Sequence, residues 1–103
     1  MSEQATFGRV DGPDAPRLVV AGEIDLGVAG TFASAVQDLL GTRSSPLEID
    51  LTGVTFFNST GIGVLCDAAE TARRQGVALV VRPSDHVRRT LEITGLTETF
   101  DLR

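Results

Sequence analysis

Apolar and polar positions along the chain change period several times, and each change marks an element. Thr6 to Val10 and Arg17 to Ala21 are short β-prone runs. The connector between them, "DGPDAP", holds Asp-Gly, Pro-Asp and a second proline, and so predicts a turn between antiparallel strands. "RLVVAG" closes at Gly22 and "EIDLG" leads into a helical pattern, in which Phe32, Val36, Leu39 and Leu40 fall at i, i+4, i+7 and i+8. That spacing predicts a helix over roughly residues 28 to 40, ended by Gly41.

"TRSSP" reads as loop, because Pro46 and the paired serines break periodicity. Leu47 to Leu51 alternates apolar and acidic residues and predicts a strand, and "TGVTFF" carries the chain on to "FNSTGIGVL". From Gly61 the period is helical again, with Ile62, Leu65, Cys66 and Ala69 on one face through about Arg74, until Gln75-Gly76 stops it. The small residues Cys66 and Ala69 would let this helix lie close to a sheet. Val77 to Arg82, nearly all apolar, reads as a buried parallel strand.

Ser84 is a good N-cap for a third helix, with Asp85 favoured in its first turn by the helix dipole. Val87, Leu91 and Thr94 line the inner side, Gly95 ends the helix, and "LTETFDL" can add an edge strand. The order β-β-α-β-α-β-α-(β) predicts an α/β fold: a mixed, mostly parallel sheet of four to five strands with covering helices. One domain over residues 1–103 fits the length, without repeat or linker.

Composition narrows the function. Hydrophobic residues make up 42% and charged residues 22%, which suits a folded chain rather than a disordered one. The formal charge of -5 argues against nucleic acid, whose phosphates call for a basic face. All basic residues are Arg, scattered along the chain as genomic bias would scatter them. No apolar run approaches the ~18 residues of a membrane span, and "MSEQATFGRV" has no signal-peptide pattern. The single cysteine, Cys66, forms no internal disulfide and fits a reducing compartment, so a cytoplasmic location is expected.

"FNSTGIGVL" is where chemistry could sit. It could cap a helix, cradle a phosphate, attack a substrate or receive a phosphoryl group. A dinucleotide loop would need glycine where the chain has Cys66, and a Walker loop needs a lysine that the sequence lacks. A serine or threonine nucleophile needs a base, and the single histidine, His86, reads as a solvated residue at a helix start. Gly-x-Ser-x-Gly is absent, since Phe57 stands two residues before Ser59. One Cys, one His and dispersed carboxylates make no metal site. No enzyme activity, cofactor or metal is therefore expected.

Capping carries weight, because Asn58, Ser59 and Thr60 are all competent N-caps and such a cap contributes about 1 kcal/mol. One cap residue would suffice, however. Three polar residues follow two phenylalanines at the carboxyl end of a presumed parallel strand, where ligands and partners dock on open α/β sheets.

"LEIDLTGVTFFNSTGIGVL" resembles the core of STAS domains, specifically anti-sigma-factor antagonists, in which an apolar strand leads to Asp-Ser-Ser/Thr-Gly-(Leu/Ile)-Gly and a helix. "GEIDL", Gly22 to Leu26, resembles the family's Gly-Glu-(Leu/Ile)-Asp, and "SDHVRRTLEITGLTETF" its closing segment. The resemblance spans nearly the whole chain, with its motifs in order. It implies that Thr60 is the phosphoacceptor, with Ser59 as second choice. It also implies a partner-binding surface of Asp25, Asn58, Ser59, Thr60, Gly61 and Ile62. The implied partners are an anti-sigma factor with kinase activity and a protein phosphatase, with no nucleic acid and no membrane.

Asn58 departs from the family's aspartate: it keeps the shape and loses the charge. Two other readings follow from the same pattern. One is a STAS scaffold that is not phosphorylated, in a signalling or lipid-transport assembly; the other is a small-ligand or nucleotide sensor at the strand end. An anion-transporter domain is disfavoured by the lack of a transmembrane part.

Overall fold

The computed structural model describes residues 5–11 and 15–103. Five strands are joined by three helices in chain order: β1 (Thr6–Val10), β2 (Arg17–Ile24), α1 (Ala29–Gly41), β3 (Leu47–Phe57), α2 (Ser59–Gln75), β4 (Leu79–Pro83), α3 (Asp85–Ile93) and β5 (Asp101–Leu102). A 3-10 turn at Thr97–Thr99 precedes β5. The strands form one sheet in the order β1-β2-β3-β4-β5. β1 runs antiparallel to β2, and every other neighbouring pair is parallel. The expected α/β architecture is thus present, and the final run does form an edge strand. The turn expected between β1 and β2 falls in part on Gly12 to Asp14, outside the described residues, as do Met1 to Gln4 of the N-terminal reading.

Alternation along β2 decides the layering. Leu18, Val20 and Ile24 are buried while Arg17, Val19, Ala21 and Glu23 between them are only half-buried. The buried set meets Leu47, Ile49 and Leu51 of β3 and Phe32, Val36, Leu39 and Leu40 of α1 in one core, which Leu65 of α2 and Leu91 of α3 complete. At its centre Phe32 is fully enclosed. Its ring stacks on Phe7 at 6.2 Å and meets Phe57 edge-on at 6.1 Å, between centroids. Across the sheet, Glu48 is flanked by Arg17 and Arg82 of the adjoining strands, at 3.8 Å from the former and hydrogen-bonded to the latter. Such partly exposed pairs contribute little to stability, about 0–1 kcal/mol each.

Several sequence readings need correction. α1 does end at Gly41, but Gly41 is its last helical residue, and the left-handed residue beyond it is Arg43, with φ of 54°. β3 includes the whole of "TGVTFF", about twice the expected length, because its pairing to β2 shifts register between Val19 and Ala21 and again between Gly22 and Glu23, and so hides the alternation. β4 begins at Leu79: the Val77 amide still bonds to the Ala72 carbonyl (2.9 Å) as part of the α2 exit. That exit does use Gly76, in the left-handed conformation at φ 71°, as expected. On α2 the buried small residues are Gly61, Ala68 and Ala72, with Cys66 and Ala69 half-buried at the margin. Ser84 caps α3 by accepting from the Val87 amide (3.2 Å), but Thr94 is exposed rather than inward-facing.

Candidate functional site

β2 and β3 are parallel neighbours, and Ile24 is paired with Phe57 at their carboxyl ends. The residues that follow, Asp25 and Asn58, therefore leave the sheet side by side. Two stretches more than thirty residues apart in sequence become adjacent loops at one end of the fold. This is the strand-end position the sequence pointed to, and it lies at the entrance of two helices.

Asn58 is the N-cap of α2, in extended conformation (φ -109°, ψ -169°). Its Oδ1 accepts the backbone N–H of Thr60 at 3.1 Å and that of Gly61 at 3.5 Å. The Thr60 hydroxyl also donates to Oδ1, at 2.5 Å. The Asn58 carbonyl takes the first intrahelical bond, from the Ile62 amide at 3.1 Å. Of three competent caps, Asn58 occupies the position because it directly follows Phe57, whose ring is locked in the core at 2% exposure. Helix α2 accordingly starts at Ser59, two residues earlier than the periodicity indicated.

Ser59 is exposed and Thr60 half-buried, whereas Gly61 is buried and Ile62 is only 9% exposed. Asp25, Asn58, Ser59 and Thr60 form the accessible part of the expected surface, and Gly61 and Ile62 lie beneath it. Gly61 has a specific reason to be glycine. A Cβ there would fall 2.7 to 3.0 Å from three atoms of the Phe57 ring. Because that ring is held edge-on by Phe32, it cannot move aside cheaply. Gly61→Ala should cost about 1–3 kcal/mol of folding free energy, as overpacking typically does, measured by urea denaturation.

The Asp25 loop is shaped by its own carboxylate. Asp25 Oδ1 accepts the Gly27 amide at 3.0 Å, and its carbonyl accepts the Val28 amide at 3.2 Å. The turn holds Leu26 outward, 76% exposed. Sequence reasoning missed this residue because an apolar side chain in a strand-to-helix junction is ordinarily counted toward the core. A second feature it missed is the contact of Phe56, 40% exposed, with the His86 ring at 5.7 Å between centroids. His86 itself is exposed in the first turn of α3.

Chemically the site offers a hydroxyl held by a neutral amide. The amide oxygen can orient the Thr60 proton but cannot take it up. Among the described residues no group of three or more His, Cys, Asp or Glu could hold a metal ion. No described helix is long and apolar enough to cross a membrane.

The family model described as "Mlab, STAS domain" matches residues 8–103. The chain belongs to the STAS domain family. This STAS domain is 36% identical over 87 residues to the anti-sigma-B factor antagonist of Listeria monocytogenes, covering 84% of this chain and 76% of the relative. Its structure matches that of an anti-sigma factor antagonist from Mycobacterium paratuberculosis with a TM-score of 0.89 and 28% identity, over 99% of this chain and 89% of the other. SpoIIAA in its phosphorylated form matches with a TM-score of 0.67 over 95% of this chain and 91% of that one; at 14% identity the likeness is one of fold. The relatives of this STAS domain are thus anti-sigma factor antagonists, and the fold expected from the sequence is theirs.

Proposed function

We propose that this STAS domain is itself an anti-sigma factor antagonist. Unmodified, it binds an anti-sigma factor that is also a serine/threonine kinase and so frees a sigma factor in the cytoplasm; phosphorylated at Thr60, it lets that partner go, and a phosphatase returns it to the binding state. The observation that carries this reading is the placement of the Thr60 hydroxyl at the α2 N-terminus, beside the Asp25 loop, in a chain whose relatives are such antagonists. SpoIIAA, of the same fold, exists in a phosphorylated form.

In the transfer, Thr60 Oγ1 attacks the terminal phosphorus of a nucleoside triphosphate held by the kinase. The Oγ1–P bond forms, the bond from that phosphorus to the bridging oxygen breaks, and a nucleoside diphosphate leaves. The hydroxyl proton goes to a base of the kinase, since Asn58 cannot keep it. The product phosphate sits at a helix N-terminus, where backbone N–H groups and the dipole favour an anion, so the fold is retained.

Mass spectrometry of the protein from its own cells tests the reading. Trypsin should release Ser44 to Arg73 as one peptide, and fragmentation separates Ser59 from Thr60. Phosphate on Thr60 is expected. A peptide unmodified under every growth condition would favour the scaffold reading, to which Asn58, a neutral group in place of a carboxylate, lends support.

The accessible contact surface under this proposal comprises Asp25, Leu26, Asn58, Ser59 and Thr60. Leu26 is its apolar anchor, because a leucine displayed by a tight turn loses little freedom on burial. Leu26→Asp should weaken partner binding at least tenfold in a calorimetric titration, a change of about 1.4 kcal/mol or more. Its thermal stability should stay within experimental error of the wild type, since the side chain touches nothing in the core.

A further inference from the structure

Asn58 Oδ1 serves three donors at once: two backbone N–H groups of α2 and the Thr60 hydroxyl. The last contact exists only because a proton lies between the two oxygens, 2.5 Å apart. Esterifying Thr60 removes that proton. Two oxygens bearing only lone pairs repel at this separation, so the arrangement cannot survive phosphorylation. An asparagine amide has a second option. Its carbonyl and NH2 ends have nearly the same shape, and the terminal torsion is broadly two-fold, so a half-turn exchanges acceptor for donor without changing volume.

We infer that Asn58 is a two-position cap. In the unmodified chain its oxygen holds the α2 N-terminus and the Thr60 hydroxyl. In the phosphorylated chain the amide turns over, Nδ2 donates to the phosphate, and phosphate oxygens take over the N–H groups of Thr60 and Gly61. The exchange leaves the helix capped in both states. An aspartate at this position has acceptors at both ends, so no rotation relieves it, and its charge opposes the phosphate's. The departure from the family's aspartate thereby gains a physical sense: the residue is a positioning group that accommodates the phosphorylated state. This rests on the reading of Thr60 as the acceptor.

The full chain with phosphothreonine installed at position 60 during translation tests the inference without any kinase. The Asn58 side-chain NH2 protons should shift downfield relative to the unmodified chain and titrate together with the 31P signal. The phosphate's second pKa should lie about half a unit lower in wild type than in Asn58→Ala, and Asn58→Asp should raise it by about one unit over wild type. An unshifted Asn58 NH2 resonance, with the same phosphate pKa in wild type and Asn58→Ala, would overturn the two-position cap. The unmutated chain alone supplies the first readout, so a poorly folded variant does not decide the matter. Absence of phosphate in cells would instead sink the Thr60 reading and leave these spectra standing.

Discussion

Phe32→Ala is expected to remove about 3–5 kcal/mol of folding free energy, the range for truncating a buried aromatic. The ring is fully enclosed and joins α1 to β1 through Phe7 and to the end of β3 through Phe57. Its loss removes apolar burial from three elements and leaves a cavity their main chains cannot easily close. Domains of this size are stable by only about 5–15 kcal/mol, so the variant will stand close to the unfolding threshold. Calorimetry should show the melting temperature falling by at least 10 °C or so, at about 4–8 °C per kcal/mol. The effect should also reach function. Phe57 immediately precedes the cap residue, so a loosened Phe57 ring frees the turn that carries Thr60. A drop of less than 1 kcal/mol would mean that Phe7 and Phe57 collapse onto one another and that the aromatic trio is not what joins these elements.

Thr60→Glu should weaken binding to the anti-sigma partner by two orders of magnitude or more, while Thr60→Val should remain near wild type. Leaving an unpaired charge buried at an interface costs several kcal/mol, and each 1.4 kcal/mol is tenfold in affinity. The mutation leaves the fold intact, because a carboxylate in the first turn of α2 is favoured by the helix dipole by about 0.3–1 kcal/mol. Titration calorimetry with the partner recovered by affinity capture makes the measurement. Should Thr60→Glu bind as tightly as wild type, release does not work through charge. A large loss in Thr60→Val would instead make the hydroxyl itself a binding contact, and phosphorylation would act by removing that contact.

The parts of this fold that were legible in the sequence are those set by local rules. Phe32, Val36, Leu39 and Leu40 declared α1 by spacing, and all four are buried. Ser84 and Gly76 marked helix ends because a capping oxygen and a left-handed glycine are needed within a residue or two of where they stand. Local rules failed where a neighbour decides. The second half of β3 has no alternation, since its pairing to β2 slips register there and puts Val54 and Phe57 in the core with Thr55 and Phe56 outside. Gly41 looked like a left-handed stop, but it is the last residue of the helix itself: the Thr42 hydroxyl donates to the Leu39 carbonyl (2.8 Å) and Arg43 makes the left-handed turn.

The site divides in the same way. Asn58, Ser59 and Thr60 were visible as a cluster, but which one caps the helix depends on Phe57 being fixed in the core. The nearness of Asp25 to that cluster came from the family resemblance and is realised by the Ile24–Phe57 pairing, which no spacing along the chain encodes. Leu26 was invisible, since exposure of an apolar side chain is a property of the folded loop alone.

The seating of Gly61 against the Phe57 ring has one further consequence, for time rather than strength. A turn with no slack presents its hydroxyl as a finished surface, so a partner has little to order on arrival. Encounter should then proceed at similar speed for the modified and unmodified forms, and the difference between them should appear in how long each complex lasts. On this view the domain works as a timer of residence: the phosphoryl group shortens a visit that it does nothing to prevent.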